Sequence, residues 1–401
     1  MSTNIYAALE IGTTRTVLAV GEAESGERLK VTCHTEIPST GVRKSQILDI
    51  SQATQSVRSV IRETEKNELA LGNSLSVGNA FLVISGQHVK AAPLQNSVPV
   101  TGSKVGAEDV DAVFRASRQI ALARDRELLD IVDQAYGLDN LGGISEPRGM
   151  SGRILKLDTI QISADANRID DARTAAGEAH LEIREPLFAA TSAADAVLSD
   201  HERRNGVLVL DLGGGSTGFA AYSDGYLAQT GVIGVGGDHV TNDIAYAFQT
   251  TQAQAEELKL REGRAVVSGD NGGPDRIKIP GVSALMDRRT VSRKSLDTVI
   301  NARLKELFQI LRTQLEDADL LHRLHAGVVL TGGGAAMSGL DALIQRELGM
   351  PARTGLPVNV DGLAEERHPE SFAAVAGALL YAHRNYEEKS IFKTIFGGFL
   401  K

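Results

Sequence analysis

Tryptophan is absent from this 401-residue chain, aromatic residues make up only 4%, and there is a single cysteine, Cys33. So few rings beside 42% hydrophobic residues exclude an aromatic-rich core and point to aliphatic α/β packing. One cysteine excludes an internal disulfide and fits a reducing compartment, with Cys33 expected as a buried, inert thiol. Positive charge is not in excess either: the net charge of −9 argues against nucleic acid as the main partner. No apolar run approaches the roughly 18 residues of a transmembrane helix. The N-terminus passes into a strand without the basic opening of a signal peptide, so a cytosolic body is expected. At 401 residues the chain is too long for one ordinary core, and two or more domains are expected.

One short device is present twice. Ala7-Ala8-Leu9-Glu10-Ile11-Gly12-Thr13-Thr14 is echoed by Val209-Leu210-Asp211-Leu212-Gly213-Gly214-Gly215-Ser216-Thr217. Each copy is an apolar run, an acid, one aliphatic residue and a Gly/hydroxyl turn, followed by a second apolar run (Val17–Val20; Phe219–Tyr222). That pattern predicts a β-hairpin with a small-residue tip. Glycines let backbone N–H groups approach an anion and Ser or Thr adds a donor, which suits a phosphate chain. The acid at each strand end suits hydrated Mg²⁺. Two copies in matched positions predict two similar domains closing on one nucleotide.

Between and beyond the copies, the patterns predict a helix at about 50–70, a strand Ala80–Ser85, and an α+β insertion over 83–164. Within that insertion we expect a helix from Ala107 to about Arg124 and a strand around Leu128–Ala135. Helices Asp170–Ala179 and Pro186–Leu198 flank strand Leu181-Glu182-Ile183. Gly231–Thr241 reads as a strand ending in Gly236-Gly237 and opening a helix, whose N-terminus is a natural anion site. A helix over 296–316 precedes Ala326–Gly334, a buried strand ending in Gly332, Gly333 and Gly334.

The ordered motifs resemble the phosphate-one, phosphate-two and adenosine motifs of the actin/chaperone/sugar-kinase ATPase superfamily. Further segments resemble one branch, the FtsA family of bacterial cell-division proteins: Leu9–Thr13, Val83–His88, Gly149-Met150-Ser151-Gly152, Val240–Phe248 and an amphipathic C-terminal end. The resemblance implies an α/β, actin-like two-domain ATPase fold of duplicated five-stranded mixed sheets, with an FtsA-type inserted α+β subdomain. Its parts would be subdomain IA (1–82, 165–190, 372–388), the insertion IC (83–164), IIA (191–241, 301–371), IIB (242–300) and a terminal helix (389–401). It also implies ATP and Mg²⁺ between Gly12, Thr13, Thr14 and Gly213, Gly214, Gly215, Ser216, Thr217, with Gly236 and Gly237 nearby. Asp211 and Glu10 would hold the metal through water, although many superfamily members carry Asp where this chain has Glu10. Adenosine would rest against Gly332–Gly334, with Glu256 and Lys259 beside the ribose and purine. The same i,i+3 spacing also makes an exposed ion pair. Glu185, in the region that orients attacking water in related ATPases, becomes a hydrolysis candidate together with Asp211. Glu185-Pro186 equally fits a helix start with Pro in the first turn, so turnover stays open.

The C-terminal segment places Ile391, Phe392, Ile395, Phe396, Phe399 and Leu400 within about half a helical circumference, with Lys393 among the residues opposite. This is the pattern of a helix lying in a membrane interface, and also of a terminal helix docked on its own core. The family resemblance favours an anionic membrane surface on the cytoplasmic side, at the division site. It further implies that Arg288, Arg289, Arg293 and Lys294 bind the acidic C-terminal peptide of FtsZ, the tubulin-like division protein. The insertion would contribute to head-to-tail self-assembly and to recruiting later division proteins. A kinase or phosphatase of the superfamily and a soluble actin-like platform of the pilus-assembly kind are the alternatives; neither needs the tail.

Overall fold

The computed structural model describes residues 4–24, 28–70, 75–119, 121–267, 276–279 and 289–397. Along the chain run β1 (Asn4–Ile11), β2 (Arg15–Ala23), β3 (Lys30–Pro38), a miniature hairpin β4 (Val42–Arg43) and β5 (Gln46–Ile47), α1 (Ile50–Ala70) and β6 (Asn79–Ile84). Then come β7 (Lys90–Pro99), α2 (Ala107–Arg118), β8 (Arg126–Leu138), β9 (Leu141–Ile144) and β10 (Ile154–Asp165). They are followed by α3 (Ala166–Glu178), β11 (Glu182–Phe188), α4 (Ala189–Val197) and α5 (Asp200–Asn205). The second half contains β12 (Val207–Leu212), β13 (Thr217–Ser223), β14 (Tyr226–Ile233), α6 (Gly237–Ala247), α7 (Gln252–Glu262), β15 (Arg276–Ile279) and β16 (Arg289–Ser292). It closes with α8 (Arg293–Asp317), β17 (Val328–Thr331), α9 (Leu340–Leu348), β18 (Ala352–Thr354) and α10 (Ala373–Gly397).

Two five-stranded sheets share one topology. In order they are β3-β2-β1-β6-β11 and β14-β13-β12-β17-β18. Each is an antiparallel meander of three strands whose first strand pairs in parallel with a later strand, which in turn pairs in parallel with the last. The first sheet is covered on one face by α1 and α3 and on the other by α10. That sandwiching explains why Ala7–Leu9 and Val17–Val20 are continuously apolar and buried rather than alternating. In the second sheet the alternation along β12 sorts residues into two cores. Val207 and Val209 join the core of the first domain, whereas Leu208, Leu210 and Leu212 pack under α6–α9.

Helices α4 and α10 join the halves through a small-residue contact. A Cβ on Gly377 would lie 1.7 Å from the Ser192 carbonyl oxygen, so only glycine permits this approach. The insertion forms its own sheet, β7-β10-β8-β9, with a small core of Val105, Val113, Leu138, Leu155 and Leu157.

Several expected elements shift. Helix α2 stops at Arg118, not near Arg124, and β8 is longer than the pattern implied. Pro186 lies in β11, not in a helix: β11 is the sheet edge and its register slips between Ile183 and Pro186, a place where proline's missing N–H is tolerated. The terminal helix expected from residue 389 is continuous with the preceding one, since α10 runs through Glu388 to Gly397. Among the described residues no helix is long and apolar enough to cross a membrane. Cys33 is buried, and desolvation pushes its thiol up to about 11, the inert state expected of it.

Candidate functional site

The two motif copies fold into hairpins whose turns have the same length. In the first, Ile11 pairs with Thr16 and the turn Gly12–Arg15 is closed by Gly12 N–H donating to the Arg15 carbonyl at 2.9 Å. In the second, Leu212 pairs with Thr217 and Gly213 N–H donates to the Ser216 carbonyl at 3.1 Å. The leading glycine is required for the same reason in both. A Cβ on Gly12 would sit 2.8 Å from the Arg15 carbonyl oxygen, and one on Gly213 would sit 2.9 Å from that of Ser216.

The tips interlock. A Cβ on Gly214 would meet Thr14 Cγ2 at 2.6 Å, and one on Gly215 would meet Thr13 Oγ1 at 2.4 Å. The threonines of the first tip thus occupy the space that the second tip's glycines leave free. Behind the tips stand the two acids, Glu10 on β1 and Asp211 on β12. Desolvation pushes Glu10 up to about 7 and Asp211 up to about 6, and the Arg15 guanidinium partly offsets both. Arg15 is tied down by Glu36, by the Ser371 hydroxyl at 3.0 Å and by the Ser371 carbonyl.

Gly332 closes the third side. It adopts φ +78°, its N–H donates to the Glu370 carbonyl at 3.0 Å, and a Cβ there would lie 2.6 Å from Asp211 Oδ1. Gly334 packs on Leu212, while nothing lies within 4 Å of a Cβ on Gly333, so Gly333 is the one of the three that faces open space.

The α6 N-terminus differs from expectation. Its first N–H groups, on Gly237 and Asp238, donate to the carbonyls of Gly213 and Gly214 at 2.9 and 2.8 Å. Those donors bind the second hairpin rather than standing free for an anion. Gly236 lets that hairpin approach: its Cβ would lie 2.5 Å from the Gly214 carbonyl oxygen. Glu256 and Lys259 are not an exposed pair. Lys259 Nζ reaches Glu256 at 2.7 Å, Thr241 Oγ1 at 2.9 Å and the Gly237 carbonyl at 3.2 Å, and the lysine is 9% exposed. The group locks α7 onto the start of α6.

Glu185 does not join this group. It lies two residues before Leu187, which is level with Val83 and so with Glu10, roughly 7 Å back along the strand. Its carboxylate accepts from the Tyr381 hydroxyl at 3.0 Å. Its neighbour Pro186 pairs with Leu82 in the sheet, and α4 begins only at Ala189.

The basic cluster is only partly visible. Arg288 lies outside the described residues, as do Phe399 and Leu400 of the tail. Arg289 begins β16. Arg293 is neutralised by Glu262 at 2.6 Å, and Lys294 is exposed. Ile391, Phe392, Lys393, Ile395 and Phe396 fall within the span of α10. Sequence reading missed Arg15, Asp238 and Ser45. Arg15 directly follows the first motif, but its long-range partners left no local trace. Ser45 sits on the β4–β5 turn between the tips.

The matched sheets, the paired hairpins and the cleft between them define an actin-like ATPase fold. Its solved relatives include the PilM-PilN type IV pilus biogenesis complex (19% identity, TM-score 0.64, 94% of this chain and 98% of that one). MreB5 of Spiroplasma citri bound to ADP is another (15% identity, TM-score 0.53, 98% of each chain). Residues 208–377 match the family described as Cell division protein FtsA, and residues 86–163 match the SHS2 domain inserted in FTSA. The chain is 31% identical over 382 residues to Cell division protein FtsA of Pseudomonas aeruginosa, covering 95% of this chain and 89% of the relative. It is 30% identical over 389 residues to that of Escherichia coli K12, covering 95% and 91%. The chain belongs to the FtsA family of bacterial cell-division proteins, and its general role is in cell division.

Proposed function

We propose that the cleft binds ATP with Mg²⁺ and that the bound nucleotide closes the two domains into the shape that assembles. The observation that carries this is the pair of interlocked tips with two desolvated carboxylates behind them. Burial leaves Glu10 and Asp211 short of counter-charge, which a divalent cation supplies. Among the described residues no three His, Cys, Asp or Glu side chains converge on one point. A magnesium ion at Asp211 and Glu10 would therefore rest largely on water and phosphate oxygens, its usual habit. When bound, it would neutralise the phosphate chain. Thr13, Thr14 and Ser216 would donate to phosphate, and Gly333 supplies the open face for adenosine. Glu185 accepts from the Tyr381 hydroxyl, and on this reading the chain is mainly a structural adaptor with slow or absent turnover.

On this reading the chain forms filaments on the inner face of the cytoplasmic membrane, held by residues 389–401, and tethers FtsZ there through the region of Arg288–Lys294. The insertion makes filament contacts and recruits later division proteins. Many weak tails along a polymer bind far more tightly than one, so assembly and membrane attachment reinforce each other. The test is co-sedimentation of the full chain with anionic vesicles. Phe392→Glu is expected to abolish pelleting while ATP binding persists; unchanged pelleting sinks the anchoring role.

A further inference from the structure

The turn between β4 and β5 is built from two residues ill suited to it. Lys44 and Ser45 have φ of +50° and +58°, the left-handed region that such two-residue turns usually fill with Asn-Gly. A non-glycine pair there persists only when its surroundings hold it. What holds it is the cleft. Ser45 N–H donates to Thr13 Oγ1 at 2.8 Å, and Ser45 Oγ lies 3.2 Å from Ser216 Oγ and 3.5 Å from Thr13 Oγ1. A third element therefore bonds both hairpin tips through one residue, and three hydroxyls converge where the tips meet.

The position within the cleft is specific. Asp238 and the start of α6 lie against Gly213 and Gly214, whereas Ser45 lies against Gly215, whose added Cβ would be 2.8 Å from Ser45 N. Ser45 thus meets the second tip at Gly215 and Ser216, just beyond the two residues that the first N–H groups of α6 bond. A nucleotide with its base at Gly333 and its phosphates along the tips would bring its last phosphate to the hydroxyls of Thr13, Ser216 and Ser45. Lys44, exposed beside it, adds positive charge that is felt at His239.

We propose that Ser45 is a contact residue for the terminal phosphate and lets the cleft tell a nucleoside triphosphate from a diphosphate. This rests on the nucleotide reading given above. A diphosphate leaves the Ser45 hydroxyl on Ser216, as here, while a triphosphate takes that hydroxyl for itself. Ser45 also packs on the root of the insertion, since a Cβ on Gly86 would lie 2.8 Å from Ser45 Cβ. The terminal phosphate would therefore be felt at the foot of β7.

The test compares the full chain with Ser45→Ala and Ser45→Gly, measuring Mg-ATP and Mg-ADP affinities by calorimetry. Ser45→Ala removes the hydroxyl and keeps the strained Cβ; Ser45→Gly removes both. Both variants are expected to weaken ATP about tenfold, the loss of a hydrogen bond to a charged group, while ADP moves by under about twofold. An ATP-to-ADP ratio equal to the parent's in both variants overturns the proposal. So does an equal loss of the two nucleotides, which would mark Ser45 as merely structural. A parent chain that binds neither nucleotide removes the nucleotide reading itself, and this proposal with it.

Discussion

The two hairpins have turns of the same length, the same closing hydrogen bond and an acid two residues before the leading glycine, yet they are built differently. The first tip carries side chains: Thr13, Thr14 and the anchored Arg15. The second carries almost none, with three glycines before Ser216. The difference shows that a glycine-rich tip can have two purposes. Gly12 and Gly213 are dictated by their own turns, whereas Gly214 and Gly215 are dictated by the threonines of the opposite domain. Shape complementarity between domains, not only access to phosphate, accounts for the third glycine of the second motif.

The largest effect should come from breaking that fit. Gly215→Ala places a methyl 2.4 Å from Thr13 Oγ1 and is expected to weaken nucleotide binding roughly ten- to hundredfold, the cost of overpacking a closed contact. Its melting temperature should stay near the parent's, because the collision is between domains. Gly12→Ala should do the reverse and lower stability by about 1–3 kcal/mol. Calorimetric titration alongside thermal melting checks both, and normal affinity in Gly215→Ala would remove the interlocking argument.

A smaller contrast concerns the acids. With Glu10 pushed up to about 7 and Asp211 to about 6, Glu10 is about half protonated at neutral pH and Asp211 is mostly charged. Asp211→Asn is therefore expected to weaken magnesium-dependent nucleotide binding about tenfold and Glu10→Gln only about threefold. Equal losses at pH 7 would show that the two acids are equivalent and that the longer side chain of Glu10 has no consequence.

The smallest effect concerns histidines: desolvation lowers both His239, at the start of α6 beside the second hairpin, and His88, and the latter is lowered further. Half-buried His88, two residues from Gly86, is lowered to about 4, chiefly by desolvation. Between pH 6.5 and 4 the unfolded chain takes up a proton that the folded chain refuses. His88 thus contributes stability above about pH 6.5 that is lost as pH falls toward 4. Without tryptophan, circular dichroism is the suitable probe of melting. His88→Gln should show a flatter decline of melting temperature with acid, and an unchanged slope would mean that His88 is not held neutral.

Much of this was legible in the chain. Alternating and continuous apolar runs around Gly12 and Gly213 indicated the hairpins, and their repetition indicated two domains. What was not legible involved residues that meet only after folding. The Pro186 segment looked like a helix start because proline suits a first turn, but pairing with β6 outweighed that preference. Glu185 looked catalytic because of its place in the order of motifs, yet strand register sets it two residues short of the cleft. The spacing of Glu256 and Lys259 fitted a nucleotide contact and an exposed ion pair alike, and only the docking of α7 on α6 buries Lys259.

By itself, then, the sequence determined the local devices: two acid-glycine hairpins, a glycine strand end and an amphipathic terminus. Each depends on residues within a few positions of one another, where turn chemistry and side-chain period act directly. The tertiary structure alone decided how those devices are used. It set Ser45 against Thr13 and Ser216, 32 and 171 positions away, and tied Arg15 to Ser371, 356 positions away. It also directed the α6 N–H groups to the second hairpin. Contacts across such separations are selected by the packing of whole sheets and helices, and no local pattern of residues encodes them.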